Sequence, residues 1–127
     1  MNSDDQRLIF DDALSKNTAL QLDWKFSVED IVFNIKSTIP NLDIKCAPER
    51  QIKGNWTQTM ILGGKKYQYL TESDSLINDV ITTVNHYLED KGITFVFYDT
   101  KDDNQNYLLI DRTQLKKYLG LGFQEVK

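Results

Sequence analysis

Cysteine, histidine and proline are scarce in this chain of 127 residues, and the scarcity of each excludes or disfavours certain classes of protein. Cys46 is the only cysteine, so no intramolecular disulfide can form and a disulfide-stapled secreted scaffold is excluded. His86 is the only histidine, and no Cys/His spacing typical of a zinc site is present. Only two prolines and six glycines occur, which argues against a linker-like or disordered chain. We therefore expect a fold that needs no disulfide, metal or other cofactor.

Long apolar runs are also missing. No run approaches the roughly 18 residues of a membrane-spanning helix, and Asp4 and Asp5 stand where a signal peptide carries basic residues. These features predict a cytoplasmic protein without a membrane contact. The length and the ordinary proportions of apolar (40%) and charged (27%) residues predict that residues 1–127 form a single α+β domain.

The net charge of −4 is distributed unevenly along the chain. Residues 1–23 carry two bases against five acids, and residues 72–127 carry six bases against ten acids. Residues 24–71 carry seven bases against four acids, which we interpret as lysines that keep loops and strands soluble. Because an acidic chain repels phosphates at long range, a nucleic acid is not an expected partner.

Apolar residues at helical spacing predict four helices. The first covers about residues 5–15, and the second covers 28–38, beginning at a Ser27–Asp30 cap and ending before Pro40. The third and longest helix begins at a cap provided by Ser73 or Asp74 and ends at Gly92. The last helix runs from about residue 112 to residue 119.

Two hairpins are predicted between these helices. Gly63-Gly64 suits a two-residue turn that places Leu62 opposite Lys65, with the face carrying Trp56, Gln58, Met60 and Leu62 towards the core. Residues 93–98 and 107–110 are apolar at both parities, so they are expected to pair in the middle of the sheet with both faces covered. Short strands are added at residues 42–46 and 123–126. The predicted fold class is therefore α+β, with an antiparallel or mixed sheet built from two hairpins and flanked by three to four helices.

Several catalytic or ligand-binding signals are incomplete. Asp102, Asn104 and Asn106 begin like a calcium loop, but Tyr107 and Thr113 occupy the positions that require Gly and Glu. Gly63-Gly64-Lys65 is followed by a strand, whereas a phosphate loop is followed by a helix. A small enzyme with a site of scattered carboxylates remains an alternative, and it requires a concave pocket with convergent polar groups.

The remaining features favour protein recognition. Tryptophan and tyrosine are residue types that anchor interfaces, and acidic residues steer a basic partner. The predicted binding surface consists of Asp99, Asp102, Asp103 and Asp111, with Tyr98 or Tyr107 as the aromatic anchor. Glu89 and Asp90 supply a second acidic position. The alternative interpretation of the acidic loop is a solvated turn, because Asp and Asn are favourable turn residues.

The C-terminal half resembles a known class of proteins. The stretch from Asn85 to Gly92, followed by Phe95-Val96-Phe97-Tyr98, Asp102-Asp103, residues 107–110 and Leu119-Gly120, is similar to some small bacterial immunity proteins. Those proteins neutralise polymorphic or contact-dependent growth-inhibition toxins in the cytosol by direct binding. The resemblance implies a non-enzymatic toxin inhibitor and assigns no binding residues. An adaptor or regulatory subunit of another assembly is the alternative from a different class.

Overall fold

The computed structural model describes residues 3–126, so Met1, Asn2 and Lys127 of the predicted domain lie outside the described residues. The helices are α1 (Ser3–Ser15), α2 (Val28–Thr38), α3 (Leu76–Leu88) and α4 (Leu115–Gly120), with short 3-10 helices over Glu89–Lys91 and Arg112–Gln114. The strands are β1 (Ala19–Asp23), β2 (Ile44–Cys46), β3 (Arg50–Ile52), β4 (Asn55–Leu62), β5 (Lys65–Leu70), β6 (Ile93–Tyr98), β7 (Asn104–Asp111) and β8 (Gln124–Glu125). The predicted α+β class is confirmed.

The strands form two antiparallel sheets. Sheet A has the order β1-β7-β6-β8. In sheet B, β4 is central, with β5 along one edge and β2 and β3 one after the other along the opposite edge. Each predicted hairpin is present, but the two hairpins belong to different sheets, so the expectation of one shared sheet is wrong. Buried residues of both hairpins share one core with residues of α2 and α3.

Both faces of sheet A are covered, as the apolar residues at both parities of β6 predict. On one face, Phe95 and Tyr107 join the core formed with α2 and α3. On the other face, Val96 and Leu108 pack in a second core with residues of α1 and Phe123. Helices therefore flank this sheet, and the side chains of β6 and β7 have little access to solvent on either face.

Sheet B buries one face against the same helices. Met60 and Leu62 of β4 and Ile44 of β2 lie in the core with α2 and α3. The pairing of Leu62 with Lys65 and of Met60 with Tyr67 confirms the predicted hairpin register. Because α2 contacts β1 of sheet A as well as β2 and β4 of sheet B, it joins the two sheets through one core.

The helix boundaries follow local capping chemistry. For α2 the predicted bounds are confirmed, and Ser27 and Asp30 form a reciprocal capping box. The predicted cap of α3 is wrong by one or two residues, because Ser75 is the N-cap and its side chain makes no capping hydrogen bond. The Oγ of Ser73 instead accepts from the backbone N–H of Ser75 in the preceding turn. The chain leaves this helical segment at Gly92, where φ is +76°.

Two strands were not predicted. Strand β1 has five residues with Leu20 and Leu22 facing the core and Gln21 facing solvent, and it pairs with β7 far along the chain. Strand β3 is polar and short, and a tight turn at Lys53 and Gly54 folds it onto β4. Neither strand contains the run of β-branched and aromatic residues that identifies β6, and each is held in place by its partner strand.

Candidate partner-binding surface

The β6–β7 hairpin separates the predicted acidic residues into two groups. Tyr98 pairs with Asn106 at the loop end of the ladder, whereas Ile93 pairs with Asp111 at the other end. Strand β7 covers about 23 Å between its ends, at roughly 3.3 Å per residue. Asp111 therefore lies at the opposite end of the strand from the loop of Asp99, Asp102 and Asp103, near Glu89 and Asp90, so it is not one of the charges of that loop.

Residues 99–103 form an exposed acidic loop. The Oδ1 of Asp99 accepts from the backbone N–H of Lys101 at 3.0 Å, and the Oδ1 of Asp102 accepts from that of Asn104 at 2.9 Å. These bonds stabilise the turn, in which Lys101 adopts a φ of +60°. The carboxylates therefore have a turn-forming role, and they also stand at the surface beside Asp103.

The two tyrosines proposed as anchors are buried. Tyr98 is 7% exposed and Tyr107 is fully buried, so neither ring is available to a partner and that prediction is wrong. The Tyr98 ring packs against Phe10 and Phe123, with centroids 5.1 and 5.6 Å apart respectively. Burial raises the pKa of both hydroxyls above the ordinary tyrosine value. The cause is that both faces of sheet A are covered, so either parity of these strands points into a core.

Asp111 has a local structural role. Its Oδ1 accepts from the backbone N–H of Thr113 at 2.9 Å and from the Thr113 hydroxyl at 2.7 Å. These hydrogen bonds to the charged form hold the pKa of Asp111 below its usual value. Asp111 thus caps the 3-10 helix that leads into α4.

A groove near Glu89 collects several polar side chains. His86, Glu89, Arg112 and Glu125 line part of this groove, which has a volume of about 470 Å³. The Nδ1 of His86 lies 3.5 Å from the Oε1 of Glu89, and both side chains are more than half exposed. Solvent therefore screens the interaction between His86 and Glu89. Histidine, glutamate and arginine are residue types that the alternative function, an enzyme with a site of scattered carboxylates, would use.

Both tryptophans are exposed, and they line two neighbouring grooves. Trp24 is 61% exposed and Trp56 is 50% exposed. The sequence predicts Trp56 on the core face of the first hairpin, but it is the second residue of β4 and lies in the exposed first part of that strand. Both tryptophans were recognisable as interface residue types, but the alternation of strand residues contains no signal that they are exposed.

One chain segment connects the two tryptophans. Trp24 lines a groove of about 420 Å³ together with Glu72 and Ser73. Trp56 and the exposed Leu70 line a second groove, of about 340 Å³, with the same two residues. We refer to Trp24, Trp56, Leu70 and residues 71–73 as the tryptophan surface.

The tryptophan surface adjoins the acidic loop. Trp24 directly follows β1, whose Asp23 pairs with Asn104 at the end of the loop. Gln105, the next residue of β7, lines the same groove as Trp24. The site therefore combines exposed aromatic rings with neighbouring carboxylates, although the aromatic residues are not those predicted.

Residues 3–126 contain neither a metal cluster nor a membrane-spanning helix. No group of three or more His, Cys, Asp or Glu side chains in this range is arranged to hold a metal ion. No helix of the same range is long and apolar enough to cross a membrane. No family model matches the chain, and neither a curated protein nor a solved structure shows significant similarity to it.

Proposed function

We propose that this chain is a non-enzymatic protein that binds another protein through the tryptophan surface and the acidic loop. The observation that carries the proposal is the exposure of two tryptophans on either side of one segment, residues 71–73. Tryptophan is the residue type most enriched among interface hot spots, and exposing two such rings to water is unfavourable without a partner. Leu70, which is also exposed, enlarges this apolar area.

The charge of the surface favours a basic partner. Glu72 and Asp74 lie beside the tryptophans, and Asp99, Asp102 and Asp103 lie in the adjacent loop. Their positive neighbours are Lys25, whose Nζ is 5.4 Å from the centre of the Trp24 ring, Lys101 in the loop, and Lys53, which precedes Gly54 of the Trp56 groove. Carboxylates therefore outnumber bases on this side of the molecule, which would accelerate association with a positively charged protein.

Among protein-binding roles, we favour a cytoplasmic bacterial immunity protein that covers the basic active-site face of a toxin. Two features support this choice: the resemblance of the C-terminal half to small immunity proteins, and the combination of aromatic anchors with negative charge. An inhibitor of this kind must bind quickly and tightly, which requires both steering charges and desolvated anchors. An adaptor or regulatory subunit uses the same kind of surface, so the activity of the captured partner distinguishes the two roles.

Partner capture with aromatic variants tests the proposed surface. The tagged chain is used to pull down proteins from its native host, and the captured protein is identified by mass spectrometry and purified. We expect Trp24→Ala and Trp56→Ala each to weaken binding of that protein by about tenfold or more. Phe33→Ala is the matched control, because Phe33 is 73% exposed but lies on α2 outside the tryptophan surface. Unchanged affinity in both tryptophan variants contradicts the proposal.

Charge reversal tests the contribution of the loop. Asp102→Lys with Asp103→Lys is expected to lower the association rate and reduce its salt dependence, with little change in the unfolding midpoint. Glu89→Lys with Asp90→Lys introduces the same charge at the far end of the hairpin and serves as control. If the rate at low salt responds only to the Glu89 and Asp90 pair, the interface lies at that end and the loop is simply a turn.

Toxin inhibition is tested with the purified partner. We expect one equivalent of this chain to abolish the enzymatic activity of that partner, and Trp24→Ala to require a proportionally higher concentration. A partner whose activity is unaffected contradicts the immunity role and favours an adaptor.

A further inference from the structure

A cleft lies between α1 and the acidic loop, on the face of sheet A opposite the groove of Trp24. It has a volume of about 510 Å³. Its walls include Arg7 and Asp11 of α1 and Asp99 and Asp102 of the loop, and Asn106 of β7 lies among the residues that line it. Gln21 of β1 completes the lining, so three separate segments of the chain form this cleft: α1, β1 and residues 98–106.

Asn106, one of the residues that line this cleft, has an unused hydrogen-bond acceptor. Its side chain is only 1% exposed, and its Nδ2 donates to the Oγ1 of Thr100 at 3.0 Å. Its Oδ1 is buried and has no hydrogen-bond partner among the described residues. A buried acceptor without a donor is unfavourable, and it is the only such buried side-chain atom in residues 3–126. An N–H donor that reaches this oxygen from the cleft would satisfy it.

The charges around the cleft favour a cationic donor. Carboxylates of Asp11, Asp99 and Asp102 outnumber the positive groups of Arg7 and Lys101. The pKa of the Tyr98 hydroxyl is consistent with this excess of negative charge. Burial is the main cause of its raised pKa. The charges of Asp11 and Asp102 raise the pKa further, and the charge of Arg7 lowers it. The loop therefore contributes its carboxylates to two sides, the tryptophan surface and this cleft.

We propose that the cleft binds the guanidinium group of an arginine side chain from the protein partner. One N–H of the guanidinium donates to the Oδ1 of Asn106, and the carboxylates of Asp11 and Asp102 balance its charge. Guanidinium suits this arrangement because its planar fork donates in several directions at once. The inference rests on the proposed function, since the arginine belongs to the partner, but it makes a separate claim about the free chain.

The test uses the full chain without its partner. The ¹⁵N-labelled protein is titrated with N-acetyl-arginine methylamide, and with N-acetyl-glutamate methylamide as the probe of opposite charge. We expect saturable shifts of the Asn106 side-chain amide and of the Thr100 backbone amide with the arginine probe only. Asn106→Leu is expected to abolish saturation.

Two charge variants keep the test decisive if Asn106→Leu does not fold. Asp11→Asn removes a carboxylate from the cleft and is expected to weaken binding of the arginine probe about threefold, the size of one partly screened charge. Asp12→Asn makes the same change on the same helix, but Asp12 is exposed and paired with Lys16 at 2.9 Å, so binding is expected to stay unchanged. Equal effects of the two variants overturn the proposal.

Two further outcomes overturn it as well. Saturable binding of the glutamate probe instead of the arginine probe shows that the Asn106 amide presents its NH₂ to the cleft. Absence of saturation by either probe shows that the cleft takes neither group. In both cases the capture experiment with Trp24→Ala remains informative, because it depends on the opposite face of sheet A.

Discussion

Two neighbouring glycines form the turn between β4 and β5 under different constraints. Gly63 and Gly64 have φ angles of +59° and +82°, which side chains rarely adopt. A Cβ at Gly64 meets nothing within 4 Å, whereas a Cβ at Gly63 would overlap the ring of Tyr87. The turn type explains the need for glycine at both positions, and the approach of α3 adds a second requirement at Gly63 alone.

Alanine at these two positions is expected to have unequal effects. Gly64→Ala should lower the free energy of unfolding by about 1 kcal/mol through the positive φ alone. Gly63→Ala should cost about 1–3 kcal/mol more, because the added methyl group displaces Tyr87. Denaturant unfolding measures both. Equal losses would indicate that the Tyr87 ring moves aside without cost.

The surroundings of Cys46 disfavour ionisation of its thiol. Burial, with a smaller contribution from the negative charge of Glu29, raises the pKa of Cys46 from 9.0 to about 11. Because the thiolate is the reactive form, we expect alkylation by iodoacetamide at pH 8 to be slower than that of an unstructured cysteine peptide. The rate should increase as the pH approaches 11.

The same shift determines a pH dependence of stability. The folded pKa of Cys46 lies above the unfolded one, so its contribution to stability is fully present below pH 9 and is lost as the pH rises through about 11. Cys46→Ser removes this titration and is the control for unfolding measurements across that range. An alkylation rate at pH 8 equal to that of the peptide contradicts the assignment.

At the scale of secondary-structure elements, α3 completes an edge of sheet A. Strand β8 pairs only with Val96 and Phe97 of β6. The backbone groups of Phe95, which β8 does not reach, bind the side-chain amide of Asn85. The Nδ2 of Asn85 donates to the Phe95 carbonyl at 2.9 Å, and its Oδ1 accepts from the Phe95 N–H at 2.7 Å. A helix side chain therefore satisfies the backbone groups that a longer β8 would satisfy.

Removing this amide tests its role. Asn85→Ala is expected to destabilise the protein by about 1–3 kcal/mol, because the Phe95 N–H loses its partner and the Phe95 carbonyl keeps only the 3.5 Å hydrogen bond from the Thr94 hydroxyl. Asn34→Ala is the control, since the Asn34 amide donates only to the Asp30 carbonyl within its own helix. Thermal or denaturant unfolding provides the measurement. A loss no larger than that of the control would show that water in the neighbouring groove replaces the amide.

Elements with a strong local signal agree with their sequence predictions. The bounds of α2 follow from a capping box at one end and Pro40 beyond the other. The register of β4 and β5 follows from a turn that allows only one pairing. Strands β1 and β3 lack such signals, because their positions depend on β7 and β4, and no local pattern encodes that pairing.

At the scale of the whole molecule, stability comes from packing of two sheets around α2 and α3. The core contains residues of both sheets and both helices, and no metal-binding cluster is present among residues 3–126. We expect the thermal midpoint to be unchanged by a chelator or a reductant. A decrease of more than about 4 °C with either reagent contradicts this expectation, since it corresponds to roughly 1 kcal/mol in a domain of this size.

The sequence by itself determined the class of the fold, the helices and the two hairpins, because hydrophobic period, caps and turn residues act within a few positions of the chain. Only the tertiary structure decided which of these elements share a sheet and which aromatic rings reach solvent. Tyr107 is buried because helices cover both faces of sheet A, and Trp24 is exposed because it follows the last residue of an edge strand. Exposure and the unpaired acceptor of Asn106 depend on which distant segments pack nearby, and local sequence patterns do not contain that information.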